Sequence, residues 1–323
     1  MKKILNFRKI LLIAIIGIVS ISYDNNDSEM VVETPDTTIT GLAVATPDLS
    51  ILVTALTKAD LAVTLKGDGP FTVFAPTNEA FAKFLTDNGF SSLDQVPVDV
   101  LKQILLNHVV SGAVKSTDLT TGYVKTLAKT TASGNNTMSM YVDLTSGVKL
   151  NGVSSVTKAD IMASNGVIHI VNSVIGLPTI VTHAVANPNF STLVSVVTNP
   201  AQASILTALS GPGPLTVFAP TNGGFTKLNN DLITLGVTGG ISGVSQATIS
   251  NVLLYHVVSG NVLASSLVAG NVPTLLEQTF EVQLTGGAKI IDKNMRTSNI
   301  IITDVQCSNG VIHAIDNALL PSL

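Results

Sequence analysis

Tryptophan is absent from this 323-residue chain, aromatic residues make up only 4%, and Cys307 is the single cysteine. A lone cysteine excludes an internal disulfide, and its place in an apolar run indicates a buried structural side chain. Hydrophobic residues nevertheless reach 46%. The core must therefore consist mainly of Val, Ile, Leu, Ala and Thr, and the β-branched members of this set favour strands.

Charged residues are also scarce, at 12% of the chain. If residues 1–22 are removed, 13 basic and 21 acidic side chains remain, a net charge of −8. Such a chain lacks the basic face that a nucleic acid requires, so no nucleic-acid partner is expected. Exposed Ser, Thr, Asn and Gly are suited to contact with glycans or proteins, and an ordinary uncharged surface is the alternative.

The apolar run Ile10–Ile21 is short, with 12 residues against the about 20 that a helix needs to cross a bilayer. Four basic residues precede it and small side chains end it near Ser22. This pattern predicts a secretory signal peptide over residues 1–22, with an uncleaved anchor as the alternative.

The acidic stretch over residues 23–45 is predicted to be a polar tether. It resembles the start of a bacterial surface lipoprotein, in which a cysteine carries the lipid. Tyr23 stands in that place, and a phenol cannot replace the acylated thiol. We therefore expect a secreted or cell-surface protein, with the periplasm and outer membrane open, and Tyr23 argues against a lipid anchor at this position.

Three sequence blocks occur twice in the same order. GPFTVFAPTNEAF returns as GPLTVFAPTNGGF, LLNHVVSG as LLYHVVSG, and SNGVIHIVNSVIGLP as SNGVIHAIDNALLP. The first block begins at Gly69 and Gly213, and the third begins at Ser164 and Ser308. The second contains His108 and His256. Because the period is much longer than that of a solenoid repeat, we interpret the chain as two tandem domains, 46–179 and 182–322.

Each copy alternates between helical and strand periodicity. The pattern predicts an α+β fold in which mostly antiparallel strands form a wedge or β-sandwich with helices packed on it. In the helix predicted within VPVDVLKQILLNHVV, we expect Val100, Ile104 and Leu105 to face inward. Gly223 and Gly224 are expected to weaken the corresponding first turn in the second copy.

The repeated PTN tripeptide predicts a strand that turns directly into a helix. Proline ends the strand, Thr77 caps the helix, and Asn78 bonds to local backbone. Thr221 and Asn222 repeat this arrangement. A ligand-contact loop is the alternative interpretation.

Four of the five histidines form repeat-matched pairs, His108 with His256 and His169 with His313. A histidine flanked by valines on one strand face is more often buried and hydrogen-bonded to backbone than a ligand, so we predict structural roles. Metal binding or general-base catalysis is the alternative, but HxxxH and CxxC spacings are absent. No metal site and no cofactor are expected.

Sequence signatures of catalysis are also missing, since neither GxSxG nor GxxxxGK[ST] occurs. Ser111, His108 and Asp160 supply the residue types of a hydrolase triad, but only geometry confirms such a set. The chain is not expected to be an enzyme.

Taken together, TVFAPTNEAF, LLYHVVSG and NGVIHIVNSVIGLP resemble the fasciclin-type domain, in two copies that cover nearly all of the chain after residue 45. The resemblance implies a compact β-sandwich-like fold with a helical cap, no enzymatic activity, and extracellular adhesion. The implied partners are matrix components, surface proteins, glycans or a second copy of the chain.

Some animal members of that family use an Asp-Ile pair and a Tyr-His pair for integrin contacts. Asp160-Ile161 matches the first pair, and Asp304-Val305 matches it less well. Tyr255-His256 matches the second pair, whereas Asn107 replaces the tyrosine in the first copy. The resemblance makes these positions candidates for a contact surface.

Two other functions remain open at this stage. One is a small-molecule or catalytic pocket between the helices and the sheet near His108 or His256. The other is a purely structural spacer.

Overall fold

A computed structural model describes residues 35–322 of the chain. The predicted signal peptide, Tyr23 and the first part of the predicted tether lie outside the described residues. The last part of that tether differs from the expectation, because Ile39–Val44 form a helix that buries Ile39 and Ala43. The hydroxyl of Thr38 accepts the N–H of Gly41 and caps this helix.

The helices and strands form two successive sets, which we call the first and the second domain. The first domain comprises α1 (Ile39–Val44), α2 (Ser50–Lys58), β1 (Phe71–Pro76), α3 (Asn78–Asp87), α4 (Val98–Leu106), β2 (Val109–Ser111), β3 (Gly122–Lys125), β4 (Ser139–Asp143), β5 (Lys149–Leu150), β6 (Ser154–Ala163) and β7 (Gly166–Val171). The second comprises α5 (Ile180–Ala186), α6 (Ser191–Val197), α7 (Ala203–Ser210), β8 (Leu215–Pro220), α8 (Asn222–Thr234), α9 (Gln246–Tyr255), β9 (Val257–Ser259), β10 (Gly270–Pro273), β11 (Thr279–Gln283), β12 (Lys289–Ile291), β13 (Thr297–Cys307) and β14 (Gly310–Ile315). Whether each domain folds alone within the predicted bounds stays a prediction.

Each domain contains one mixed sheet of seven strands, and the two sheets have the same topology. The order is β2-β1-β7-β6-β5-β4-β3 in the first domain and β10-β11-β12-β13-β14-β8-β9, its counterpart read from the other edge, in the second. Only β1 with β7 and β8 with β14 pair in parallel. The expected α+β fold with mostly antiparallel strands is confirmed.

Alternation along β1 divides the core of the first domain into two layers. Val73 packs with the helices, in a cluster that contains Phe81 and Leu101. Phe74 points to the opposite face, where it joins Met140 and other residues between the two parts of the bent sheet. The helix prediction was wrong at Val100, which is 45% exposed, because Leu101 takes the inward position.

The expected weakening of the second PTN helix is not seen in its length. α8 has 13 residues, against 10 in α3. A Cβ at Gly224 would lie 3.3 Å from the backbone of Asn317, so the glycine allows the helix to approach that segment closely.

The two domains belong to one compact unit and touch through polar groups. Lys125 Nζ donates to the carbonyl oxygen of Asp304 at 2.6 Å. The backbone N–H of Gln306 donates to Ser139 Oγ at 3.0 Å. The first domain therefore covers part of β13 in the second.

Over residues 35–322, no single helix is long and apolar enough to cross a membrane. One bent pair, Pro188–Val197 with Pro200–Ser210, meets the requirement by length and composition alone.

Candidate functional site

The PTN turn has the same hydrogen bonds in both domains. Thr77 Oγ accepts the N–H of Ala80 at the start of α3. Asn78 Oδ1 accepts the N–H of Ile51 at 2.9 Å, and its Nδ2 donates to the carbonyl of Pro47 at 3.0 Å. Thr221 and Asn222 make the corresponding bonds in the second domain. The asparagine thus ties the PTN helix to the start of α2 or α6.

Replacing this asparagine should destabilise either domain. We expect Asn78→Ala to lower the free energy of unfolding by about 1–3 kcal/mol, because it leaves the Ile51 N–H without its partner and takes one of two donors from the Pro47 carbonyl. Asn222→Ala should have a similar effect, and chemical denaturation measures both. Asn88→Ala, which removes only an exposed bond to Phe84 at the end of α3, is the control. Equal stability of all three variants would contradict this prediction.

His108 and His256 join the last turn of a helix to the segment that follows the parallel strand. His108 Nδ1 lies 2.7 Å from the carbonyl of Ile104, and Nε2 accepts the N–H of Ile175 at 2.9 Å. His256 repeats both bonds, to Val252 and from Leu319. Burial lowers the pKa of each ring to about 4. Both imidazoles are therefore neutral near pH 7, with both nitrogens in use.

His169 and His313 support a bulge in the strand beside them. β6 and β13 shift register before Ile161 and Val305, and Asp160 and Asp304 have φ angles of 60° and 58°. The N–H of Asp160 donates to His169 Nδ1 at 3.2 Å, while His169 Nε2 lies 3.0 Å from the carbonyl of Val114. His313 makes the same pair of contacts, with Asp304 and Val262. The histidine thus supports a backbone conformation that is uncommon for a residue other than glycine.

The carboxylate of Asp160 accepts the N–H and the hydroxyl of Ser116. These bonds hold the pKa of Asp160 below its ordinary value. The side chain stays 36% exposed, Ile161 is half-buried, and Met162 is 56% exposed. We call the surface formed by Asp160, Ile161, Met162 and Ser164 the Asp160 face.

The equivalent surface of the second domain is covered by the first domain. Asp304, Gln306 and Ser308 lie 144 positions after Asp160, Met162 and Ser164, and all three are bonded to the first domain, Ser308 through Thr130 Oγ at 3.1 Å. Val305 is 1% exposed because it belongs to the core cluster of the second domain. In this conformation Asp304-Val305 offers a partner little accessible surface.

The Tyr-His candidate lies inside the second domain. Tyr255 has no exposed surface and donates its hydroxyl to the carbonyl of Thr279 at 2.9 Å, and burial raises its pKa to about 12. His256 is 4% exposed. A partner could reach these rings only after the domain opened, so contact through this pair stays a prediction.

Two of the three residues that could supply a hydrolase triad, His108 and Asp160, are hydrogen-bonded to other groups. His108 Nε2 accepts the N–H of Ile175, and the carboxylate of Asp160 accepts the hydroxyl of Ser116. Among residues 35–322, no three His, Cys, Asp or Glu side chains are placed to hold a metal ion.

A cavity borders His256 in the second domain. It lies between α5–α7 and the sheet, has a volume of about 50 Å³, and is lined almost entirely by carbon atoms. Small-molecule sites usually measure about 300–1,000 Å³, so this cavity supports the pocket hypothesis poorly.

His183, the histidine without a repeat partner, was missed by the sequence analysis. It lies in α5 with no exposed surface, and its ring packs edge-on against Tyr123 of the first domain. The backbones of Ser139 and Gln306 lie beside it, yet neither ring nitrogen makes a hydrogen bond of good geometry. Burial lowers its pKa to about 4. Its lack of a repeat partner and its position in the junction were the available signals.

Known proteins share this sequence pattern and this fold. Transforming growth factor-beta-induced protein ig-h3 from Sus scrofa is 30% identical over 260 residues, which are 80% of this chain and 35% of that protein. Periostin from Homo sapiens is 26% identical over 269 residues, 81% of this chain and 28% of that protein. The chain thus spans about a third of the length of these relatives.

Similarity extends to a bacterial protein and to a solved structure. Protein sll1483 from Synechocystis sp. is 36% identical over 145 residues, 45% of this chain and 74% of that protein. The structure of a FAS1 domain pair from the insect cell adhesion molecule fasciclin I superimposes with a TM-score of 0.51 at 22% identity, covering 84% of this chain and 97% of that one. That likeness confirms the fold.

The pattern of the fasciclin domain matches residues 47–178 and 188–321, which contain both copies of the PTN turn, the four repeat-matched histidines and both bulged strands. The chain therefore belongs to the fasciclin domain family and carries two fasciclin domains in tandem.

Proposed function

We propose that the chain is an extracellular adhesion module that binds a matrix or cell-surface protein through its Asp160 face. Fasciclin domains occur in cell adhesion proteins, of which the insect fasciclin I is one. Secretion or display at the cell surface is part of the proposal, and it rests on the sequence of residues 1–22 together with the family.

The proposal rests on a difference between two equivalent surfaces, of which one contacts the other domain and one does not. On the second domain this surface is already an interface, since Lys125, Ser139 and Thr130 of the first domain bond to it. On the first domain the Asp160 face has no domain in front of it within residues 35–322. A surface of this fold that is suited to a protein contact is thus left open.

The chemistry of the Asp160 face favours a protein partner. It combines an ionised carboxylate with the exposed apolar side chain of Met162, while the half-buried Ile161 packs on the core of the domain. Mixed patches with exposed methionine are typical of protein interfaces. Met162 and Ser164 also border a cleft of about 540 Å³ that includes residues 66–70. A glycan and a second copy of the chain are the other partners to be tested.

Two methionines that are exposed within residues 35–322 provide a matched test. We expect Met162→Glu to weaken binding to immobilised matrix protein at least about tenfold, because it places a second carboxylate beside Asp160. Met295→Glu changes a methionine that is 81% exposed on the second domain and should leave binding unchanged. Surface plasmon resonance on matrix proteins, on the producing cell's exopolysaccharide and on the immobilised chain itself compares the partner classes. If both variants bound equally well, the Asp160 face would not be the binding surface.

A further inference from the structure

An arginine of the second domain occupies a pocket whose counterpart in the first domain is open. Arg296 Nε and Nη2 donate to the Asp231 carboxylate at 2.9 and 2.6 Å. Nη1 donates to Asp292 and to the carbonyl of Ala318, both at 2.9 Å, and Nη2 also reaches Asn317 Oδ1 at 2.8 Å. The arginine side chain is only 13% exposed.

The first domain retains much of this receptor but has no arginine to fill it. Asp87 lies 144 positions before Asp231, and Ser173 and Val174 lie 144 positions before Asn317 and Ala318. The turn that supplies the arginine is shorter here. Three residues separate Leu150 from its strand partner Ser154, whereas seven separate Ile290 from Ser298. In place of the guanidinium, the first domain has a cleft of about 430 Å³ lined by Asp87, Ser173, Val174 and their neighbours.

The lysine beside the cleft does not replace the missing arginine. Lys227 in the second domain pairs with Asp316 at 3.1 Å, which leaves Asp231 to the arginine. The first domain has Asn172 in place of Asp316, and Lys83 pairs with Asp87 at 2.8 Å instead. Both side chains of this pair are more than half exposed, at 67% and 55%. Such a pair is weak, and a forked guanidinium can displace the lysine into solvent.

Two further residues in the cleft indicate which chemical groups the ligand should carry. Asn151 is 2% exposed, its Oδ1 accepts the N–H of Tyr141 at 2.7 Å, and its Nδ2 has no hydrogen-bond partner. A buried amide donor of this kind calls for an acceptor. Phe84 lines the cleft where the second domain has Leu228, and guanidinium groups stack on aromatic rings.

We propose that this cleft binds an arginine side chain of a partner protein or peptide. The guanidinium lies between Asp87 and the Val174 carbonyl, as Arg296 lies between Asp231 and Ala318, and it packs on Phe84. A peptide carbonyl of the same ligand accepts from Asn151 once the cleft widens enough to uncover Nδ2, which has almost no exposed surface without the ligand. The chain itself is a poor source, because its only arginines are Arg8 and the buried Arg296. The cleft is separate from the Asp160 face.

Titration of the full chain with N-acetyl-arginine amide, followed by NMR, tests this assignment. We expect saturable shifts confined to the cleft residues, and none from the uncharged N-acetyl-citrulline amide. Asp87→Asn should weaken binding about tenfold, because it removes the charged partner of the guanidinium. Asp94→Asn changes a carboxylate that is 92% exposed, outside the cleft, and is the matched control.

Three results would overturn the proposal: no saturation with the arginine amide, equal binding of the citrulline amide, or undiminished binding to the Asp87→Asn variant. Ethylguanidinium, which lacks a carbonyl, should bind more weakly than the arginine amide, and equal affinity would refute the role given to Asn151. Failure here leaves the adhesion proposal intact, because that proposal is tested by Met162→Glu.

Discussion

Acidification from pH 7 to pH 4 should remove a large part of the stability of both domains. Three histidines are fully buried and have pKa values of about 4, namely His108, His183 and His256. Each ring takes up its proton near pH 6.5 when the chain unfolds. We therefore expect each to contribute a loss of about 3 kcal/mol, and an ordinary domain has only about 5–15 kcal/mol in total.

The sign of this effect follows from where the protons bind. Above pH 6.5 the imidazoles are neutral in both states and do not make stability depend on pH. Between pH 6.5 and 4 the unfolded chain binds protons that the folded chain excludes, so the free energy of unfolding falls as the pH falls. Below pH 4 the folded rings also become protonated and the decline from these groups ends.

His183 allows this contribution to be separated from lost hydrogen bonds. His183→Phe removes a titrating group whose nitrogens have no hydrogen-bond partner, so stability at pH 7 should change by less than about 1.5 kcal/mol. The loss between pH 7 and pH 4 should shrink by about 3 kcal/mol. Urea denaturation at a series of pH values measures both quantities.

His108→Phe is the matched comparison, because it removes the same titration together with two backbone contacts. The Ile175 N–H loses its partner and the Ile104 carbonyl keeps only the N–H of Asn107, which should cost about 1–3 kcal/mol already at pH 7. If His183→Phe retained the full acid sensitivity, burial of the neutral ring between the domains would not be the cause.

The local parts of the fold could be predicted from the sequence because they depend on a few neighbouring residues. The PTN turn needs a proline to end the strand, a threonine to cap the helix and an asparagine to bond to backbone, and both domains make these bonds. The mostly antiparallel α+β fold followed from the alternation of periods. Cys307 is buried as expected, and burial raises the pKa of its thiol.

The limits of the sequence appear wherever a contact joins distant residues. The prediction that Val100 faces inward was wrong because two neighbouring apolar residues fit the helical period. Only packing in the folded domain selects Leu101 as the buried one. The Asp160 and Asp304 surfaces look alike in sequence, but the first domain covers only the second of them. The pocket that Arg296 fills and the open cleft of the first domain differ because the turn before Ser298 is four residues longer than the turn before Ser154.

Arg296→Met should destabilise the second domain more than any other single change discussed above. The substitution keeps much of the apolar stem and removes the guanidinium. Asp292, whose side chain is 1% exposed, then loses the one cation that pairs with it within residues 35–322. Breaking a buried ion pair in this way costs about 3–5 kcal/mol, because the carboxylate keeps its bonds from backbone N–H groups but has no counter-charge.

Lys83→Met in the first domain is the control, because it removes the cation from an exposed pair at nearly the same distance. Its effect should stay within about 1 kcal/mol, since solvent screens both charges. Thermal and urea unfolding of the two variants compare these losses. Asp292→Asn alone and together with Arg296→Met completes the comparison, because the amide buries no charge but has one acceptor oxygen for backbone N–H groups that both carboxylate oxygens now accept. Asp292→Asn should cost less stability in the Arg296→Met variant than in the natural chain. An equal cost would show that the arginine acts through its other bonds, to Asp231, Asn317 and Ala318, rather than by compensating Asp292.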